Sequence, residues 1–108
     1  MSAQKVCAVE ELSPSSARRV VLDGVPIAVV RDSAGAVHAI GDTCTHGDIS
    51  LSEGFVEDDG LECWAHGSKF SLTTGKPLNL PAYEPVPVFA VEILDGDVYI
   101  DPSARLEV

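Results

Sequence analysis

The sequence predicts an all-β domain of small antiparallel sheets, and three observations carry that prediction. Short runs rich in β-branched and aromatic residues recur along the chain. Asp-Gly dipeptides at Asp23-Gly24, Asp59-Gly60 and Asp95-Gly96 each sit between apolar flanks, the strongest local signal for a hairpin turn. No stretch sustains a helical period of apolar residues. Strands linked by tight turns, with no helices to cover a parallel sheet, point to antiparallel pairing.

In chain order, Lys5 to Val9 is the first candidate strand. "SPSSARR" forms at most a short turn before "ARRVVLDGVPIAVVRD", which reads as two strands folded at Asp23-Gly24. "RDSAGAVHAIG" turns near Ser33 to Gly35 and runs on from Ala36 to Ile40. Residues 47 to 62 hold enough strand and turn for a hairpin around Asp59-Gly60, and "SLTTGKPL" turns at Thr74-Gly75. Pro77, Pro81, Pro85 and Pro87 cluster late. Each lacks a backbone N–H, so this stretch is an extended irregular segment or a sheet edge. It leads into "VFAVEIL", expected to be the final strand.

The chain has 108 residues, of which 45% are apolar, which suits one folded domain. No apolar run approaches the roughly 20 residues that span a bilayer, and "MSAQKVCAVEEL" shows no secretory pattern. A soluble, cytoplasmic protein is expected, with nothing against a monomer. The formal charge is −10, and no lysine or arginine occurs between Arg31 and Lys69. Nucleic acid and anionic membrane both require basic surface and are therefore excluded as partners. The window holds Asp32, Asp42, Asp48, Glu53, Glu57, Asp58, Asp59 and Glu62. It reads either as an ordinary solvated face or as a surface that steers a positively charged partner. Three cysteines do not form a disulfide framework and point to metal or free thiols. Cys7 reads as a packed residue and His38 as a surface or packing residue.

Chemistry concentrates in two loops. "GDTCTHGDIS" carries Cys44 and His46, and "CWAHGS", seventeen positions beyond that histidine, carries Cys63 and His66. An out-and-back hairpin between them brings two tips together, each bearing one sulfur and one imidazole. Glycines at 41, 47, 54 and 67 are expected to give these tips their backbone freedom. A Cys/His nucleophilic pair leaves the doubling unexplained. Structural zinc accepts two cysteines and two histidines, though usually with paired cysteines in one knuckle and histidines on a helix. A two-iron, two-sulfide cluster, with the sulfurs on one iron and the imidazoles on the other, suits two mixed loops.

Cys-x-His followed by Cys-x-x-His resembles the paired motif of Rieske proteins. The likeness runs through "LSEG" to "EPVPVFAVEILDGDVYI" and is greatest to the Rieske-type ferredoxins of bacterial ring-hydroxylating dioxygenases. That resemblance implies one Rieske domain over residues 1–108, with a barrel-like base of antiparallel sheets and a two-loop cluster-binding subdomain at about 42–82. It implies one 2Fe-2S cluster, with Cys44 and Cys63 on the inner iron and His46 and His66 on the outer one. Trp64, Gly67, Ser68 and Phe70 would form its shell. Neutral imidazoles leave the oxidised site uncharged, so its potential lies at roughly −150 to +300 mV, above the −400 mV or so of all-cysteine plant-type clusters. High-potential relatives add a disulfide between the loops, at places matching Ile49 or its neighbours and Ala65, and a tyrosine where this chain has Phe70. Ser68 keeps their serine. The resemblance therefore implies the lower half of that range.

Trp64 is either a hydrophobic lid or a docking contact, and Pro81 to Pro87 either a third loop over the cluster or an edge segment. Two of three histidines are needed for the cluster, and His38 alone cannot build the mononuclear iron site of an oxygenase. There is no glycine-rich nucleotide fingerprint either. The chain is expected to be no enzyme but an electron carrier. Its partners would be a flavin- and NAD(P)H-dependent reductase and a non-haem iron oxygenase or similar acceptor, docking near His46, His66 and Trp64. The alternatives are the small subunit of a fixed complex such as nitrite reductase, and a structural zinc interaction module.

Overall fold

The computed structural model describes residues 3–43, 49–57, 60–64, 67–78 and 84–105. Within them, β1 (Gln4–Ala8) leads through a 3-10 turn (Val9–Glu11) to β2 (Ser16–Leu22), β3 (Val25–Arg31) and β4 (Val37–Gly41). A second 3-10 turn (Leu51–Glu53) precedes β5 (Phe55–Val56), β6 (Gly60–Glu62) and β7 (Lys69–Ser71). β8 (Val88–Leu94) and β9 (Asp97–Arg105) complete the chain. Six strands form an antiparallel sheet in the order β1-β9-β8-β4-β3-β2, and β5-β6-β7 form a second, smaller one. This is the all-β, barrel-like arrangement expected.

The Asp-Gly turns explain two of the tight hairpins. Asp23 and Gly24 have φ of 51° and 79°, and Asp95 and Gly96 have φ of 51° and 79°. Two left-handed residues in succession make a turn whose twist matches the flanking strands. They close Leu22 on Val25 and Leu94 on Asp97. In the third hairpin, Glu57 N–H donates to Gly60 O at 2.8 Å; Asp58 and Asp59 lie outside the described residues.

The period of two along each strand sorts the core into two parts. Ala28, Val30, Ile40 and Val88 point to one face of the large sheet, where they meet Leu51, Leu61, Cys63, Phe70, Leu72 and Val86. This shared core joins the two sheets. Ile27, Val29, Ala39 and Phe89 point the other way and pack with Cys7, Leu12, Val98 and Ile100. β3 is therefore apolar on both sides, and Ile27 to Val30 are all 0% exposed. Burial raises the Cys7 thiol pKa, which suits its reading as a packed residue.

Two sequence expectations need correction. "VFAVEIL" is β8, not the last strand; β9 follows and passes through Pro102. The β8–β9 register jumps there, from Phe89 opposite Arg105 to Val91 opposite Ile100, so the residue without an N–H sits where the ladder is already irregular. The two 3-10 turns were also unforeseen, because three residues are too few to show a period. In the first, Ala8 N–H donates to Glu11 Oε2 at 3.1 Å, holding the Glu11 carboxyl below its ordinary pKa with help from Arg18.

Asp32 organises the β3–β4 turn. Its Oδ1 accepts from Ala34 N–H at 3.0 Å and Ala36 N–H at 2.9 Å, and Oδ2 lies 3.0 Å from His38 Nε2. The bond to His38 first, and the backbone donors after it, hold the Asp32 carboxyl below its ordinary range. A depressed carboxylate stabilises the fold above its unfolded pKa and loses that contribution as pH falls through the folded value. The melting temperature of Asp32→Asn should thus lie below the parent's at pH 6, and the gap should close below about pH 4. A gap that persists unchanged at pH 2 would count against this account.

Candidate metal centre

β6 delivers Cys63. Along this strand Leu61 and Cys63 face inward, both 0% exposed, whereas Trp64 is 51% exposed. The chain then reverses within a short loop. Cys63 N–H donates to Ser68 O at 2.7 Å and Gly67 N–H donates to Cys63 O at 2.9 Å. Gly67 takes φ of +76° to make that reversal, a conformation costly for any residue with a Cβ. Ser68 returns buried at 0%, and Phe70, also 0% exposed, pairs with Leu61 across the hairpin. Phe70 and Cys63 share one apolar core, so the thiol sits in a dry wall.

The first loop leaves from the end of β4. Thr43 forms an isolated bridge with Ser50, so residues 44–49 span a closed base. Leu51 follows at 0% exposure and packs in the same core as Cys63, with Ile49 against it. Both loops therefore grow from one apolar core. Cys44, His46 and His66 lie outside the described residues, as do Gly47, Asp48, Ala65 and Pro81. Pro85 and Pro87 are in irregular backbone, and Pro77 bridges Phe70.

Two of the four glycines act differently from the expectation. At Gly41 a Cβ would lie 2.8 Å from Pro87 Cδ, and at Gly54 one would lie 1.9 Å from the Glu62 carbonyl oxygen. Neither has a left-handed φ; each is bare because another segment crosses it. Asp42 is also misplaced by a surface reading. It is 1% exposed and its carboxylate takes Arg19 Nε at 3.0 Å and Ser52 N–H at 2.9 Å. Together with Asp32, whose side chain is 16% exposed, it is withdrawn from the acidic face. No local pattern signals this, because the partners come from β2 and from beyond the loop.

Among the described residues no three His, Cys, Asp or Glu side chains gather as a metal site. His38 is engaged with Asp32 in the β3–β4 turn. The chemistry of the described part nevertheless fits a cluster ligand. A buried sulfur at the tip of a short hairpin, walled by Leu51, Leu61 and Phe70, is shielded from the water and oxidants that attack an iron–sulfur site. No helix among the described residues is long and apolar enough to cross a membrane.

Comparison with known proteins agrees. The Rieske [2Fe-2S] domain family matches residues 2–90. Ferredoxin CarAc of Metapseudomonas resinovorans is 44% identical over 97 residues, covering 89% of this chain and 90% of its own. Among solved structures, the complex of reduced oxygenase and oxidized ferredoxin in carbazole 1,9a-dioxygenase matches with a TM-score of 0.89 and 42% identity, over 97% of each chain. A nitrite reductase small subunit from Mycobacterium tuberculosis, itself described as putative and NADH-dependent, has a TM-score of 0.85 at 27% identity, covering 99% of this chain and 97% of its own. The two-sheet fold is thus that of a Rieske ferredoxin. The chain belongs to the Rieske 2Fe-2S family, and it is an electron carrier that uses one Rieske-type cluster and transforms no substrate itself.

Proposed function

We propose that this ferredoxin moves single electrons from a flavin- and NAD(P)H-dependent reductase to a non-haem iron oxygenase, with Cys44, His46, Cys63 and His66 as cluster ligands. The observation that carries the reading is the single-residue step from Cys63, fully buried, to Trp64, half exposed. It sets a thiolate ligand in the core directly beside an accessible aromatic surface. By this assignment the two cysteines would hold one iron and His46 and His66 the other, whose edge would meet a partner. The bound cluster supplies a one-electron couple. The chain's own part is to exclude water around the sulfurs and to present Trp64 and the histidine edge for contact. The carbazole dioxygenase structure, in which a ferredoxin meets its oxygenase, supports this choice of acceptor. The cluster-binding subdomain is assigned to about 42–82 within a single domain of residues 1–108, and contains β5, β6 and β7.

Phe70 supports a potential in the lower half of the Rieske range. It is buried in an apolar setting and offers no hydroxyl to stabilise the added electron. Iron and sulfide analysis, the EPR spectrum after dithionite, and a redox titration test these points together. The expected results are two irons per chain, a Rieske-type signal, and a midpoint below about +75 mV, the middle of the family range. A midpoint above about +200 mV would sink the low-potential assignment, and a colourless protein holding one zinc would sink the cluster assignment.

A further inference from the structure

Asp42 is the first residue after β4, and both its carboxylate oxygens are engaged inside the protein. Oδ1 accepts from Ser52 N–H at 2.9 Å. Oδ2 accepts from the Ser50 hydroxyl and from Arg19 Nε, the latter at 3.0 Å. The backbone is equally committed: Asp42 N–H donates to Pro26 O at 3.1 Å, and Asp42 O accepts from Leu51 N–H. That last bond has a sequence cause. In an antiparallel pair the residue facing Asp42 would normally return its own N–H to Asp42 O. Proline has none, so the carbonyl is left for Leu51.

These bonds share a direction. Apart from those to Pro26 and Arg19, each joins the outgoing limb of the 44–49 loop to its returning limb at Ser50 to Ser52. The Thr43–Ser50 bridge does the same one residue further on. Arg19, on β2, and Pro26, on β3, tie this junction to the large sheet. Burying a carboxylate is costly unless its lone pairs are filled. Here they are filled by groups whose common effect is to close one loop.

We propose that Asp42 is a positioning residue for the metal centre: it buckles together the two limbs that flank Cys44 and His46, at Asp42–Thr43 and Ser50–Ser52. This rests on the ligand assignment above. Asp42 touches no reacting atom; it acts through the loop it closes.

The test compares the holo-protein with Asp42→Ala, Asp42→Asn and Ser50→Ala. Cluster loss is followed as decay of visible absorbance with an iron chelator present, alongside the EPR spectrum after dithionite and thermal unfolding by circular dichroism. Supporting residues around a metal site typically change affinity by roughly 10–100-fold, and Asp42→Ala should lose its cluster faster by a factor in that range. Its remaining signal should be shifted and broadened. Asp42→Asn keeps an acceptor for Ser52 N–H and should fall between Asp42→Ala and the parent. Ser50→Ala removes one bond, and should show a smaller change of the same kind; it carries the test if Asp42→Ala does not fold. Parent-like cluster lifetimes would overturn the proposal. So would a lowered melting temperature with an EPR spectrum superimposable on the parent's, since that marks a residue of the general fold. A parent without a 2Fe-2S signal would overturn the ligand assignment and this proposal together, whereas an intact parent signal with unaffected variants overturns only the role of Asp42.

Discussion

Cys63→Ala is expected to yield a colourless protein with no EPR signal after reduction and no bound iron, a complete loss and not a graded one. By the proposed ligand set, an iron held by two thiolates would find no substitute ligand in a wall made of Leu51, Leu61 and Phe70. The methyl group that replaces the thiol cannot bind metal, and water has no access from that side. The matching control is Cys7→Ala. Cys7 is also buried, at 7% exposure, but it lies in the core on the other face of the large sheet. That variant should keep its full iron content and spectrum. Iron per chain measured on both variants checks the assignment. Equal iron in Cys63→Ala and the parent would remove Cys63 from the ligand set.

The second large effect is expected from a single methyl group. Gly54→Ala places a Cβ 1.9 Å from Glu62 O and 3.2 Å from Leu51 O. Both are backbone atoms, so no side chain can swing aside. The chain must open between the second 3-10 turn and β6. Overpacking of this kind costs about 3 kcal/mol, the upper end of its usual range, or a fall in melting temperature on the order of 15 °C for a domain of this size. Because Glu62 is adjacent to Cys63, the same displacement should also speed cluster loss. Thermal unfolding of the apo-protein separates the two effects. An apo-protein that melts within about 2 °C of the parent would show that β5 and β6 can separate cheaply.

How much of this was legible in the sequence depended on the range over which each feature is encoded. The hairpins at Asp23-Gly24 and Asp95-Gly96 were readable because a two-residue turn is decided by the two residues that form it. Ligand spacing is written in consecutive positions; of the four residues it singles out, Cys63 is among those described, and it is buried. Gly54 looks in the sequence like a flexible loop residue, but its constraint comes from Glu62, on a different strand. Asp42 reads locally as a surface acid, since its burial depends on Arg19, Ser50 and Ser52 arriving from elsewhere. The sheet order was equally hidden. No local pattern shows that β9 inserts between β1 and β8, uniting the two ends of the chain and stranding β2 at an edge.

The division of the interior by the large sheet has a bearing on the life of the protein. One core contains Cys63 and the small sheet, and the other is built from strands of the large sheet together with Leu12. Regions of a protein with separate packing can open separately. Losing the metal therefore strips support from one room of the house while the other keeps its walls. The emptied chain is expected to keep the packing around Cys7 while that around Cys63 loosens.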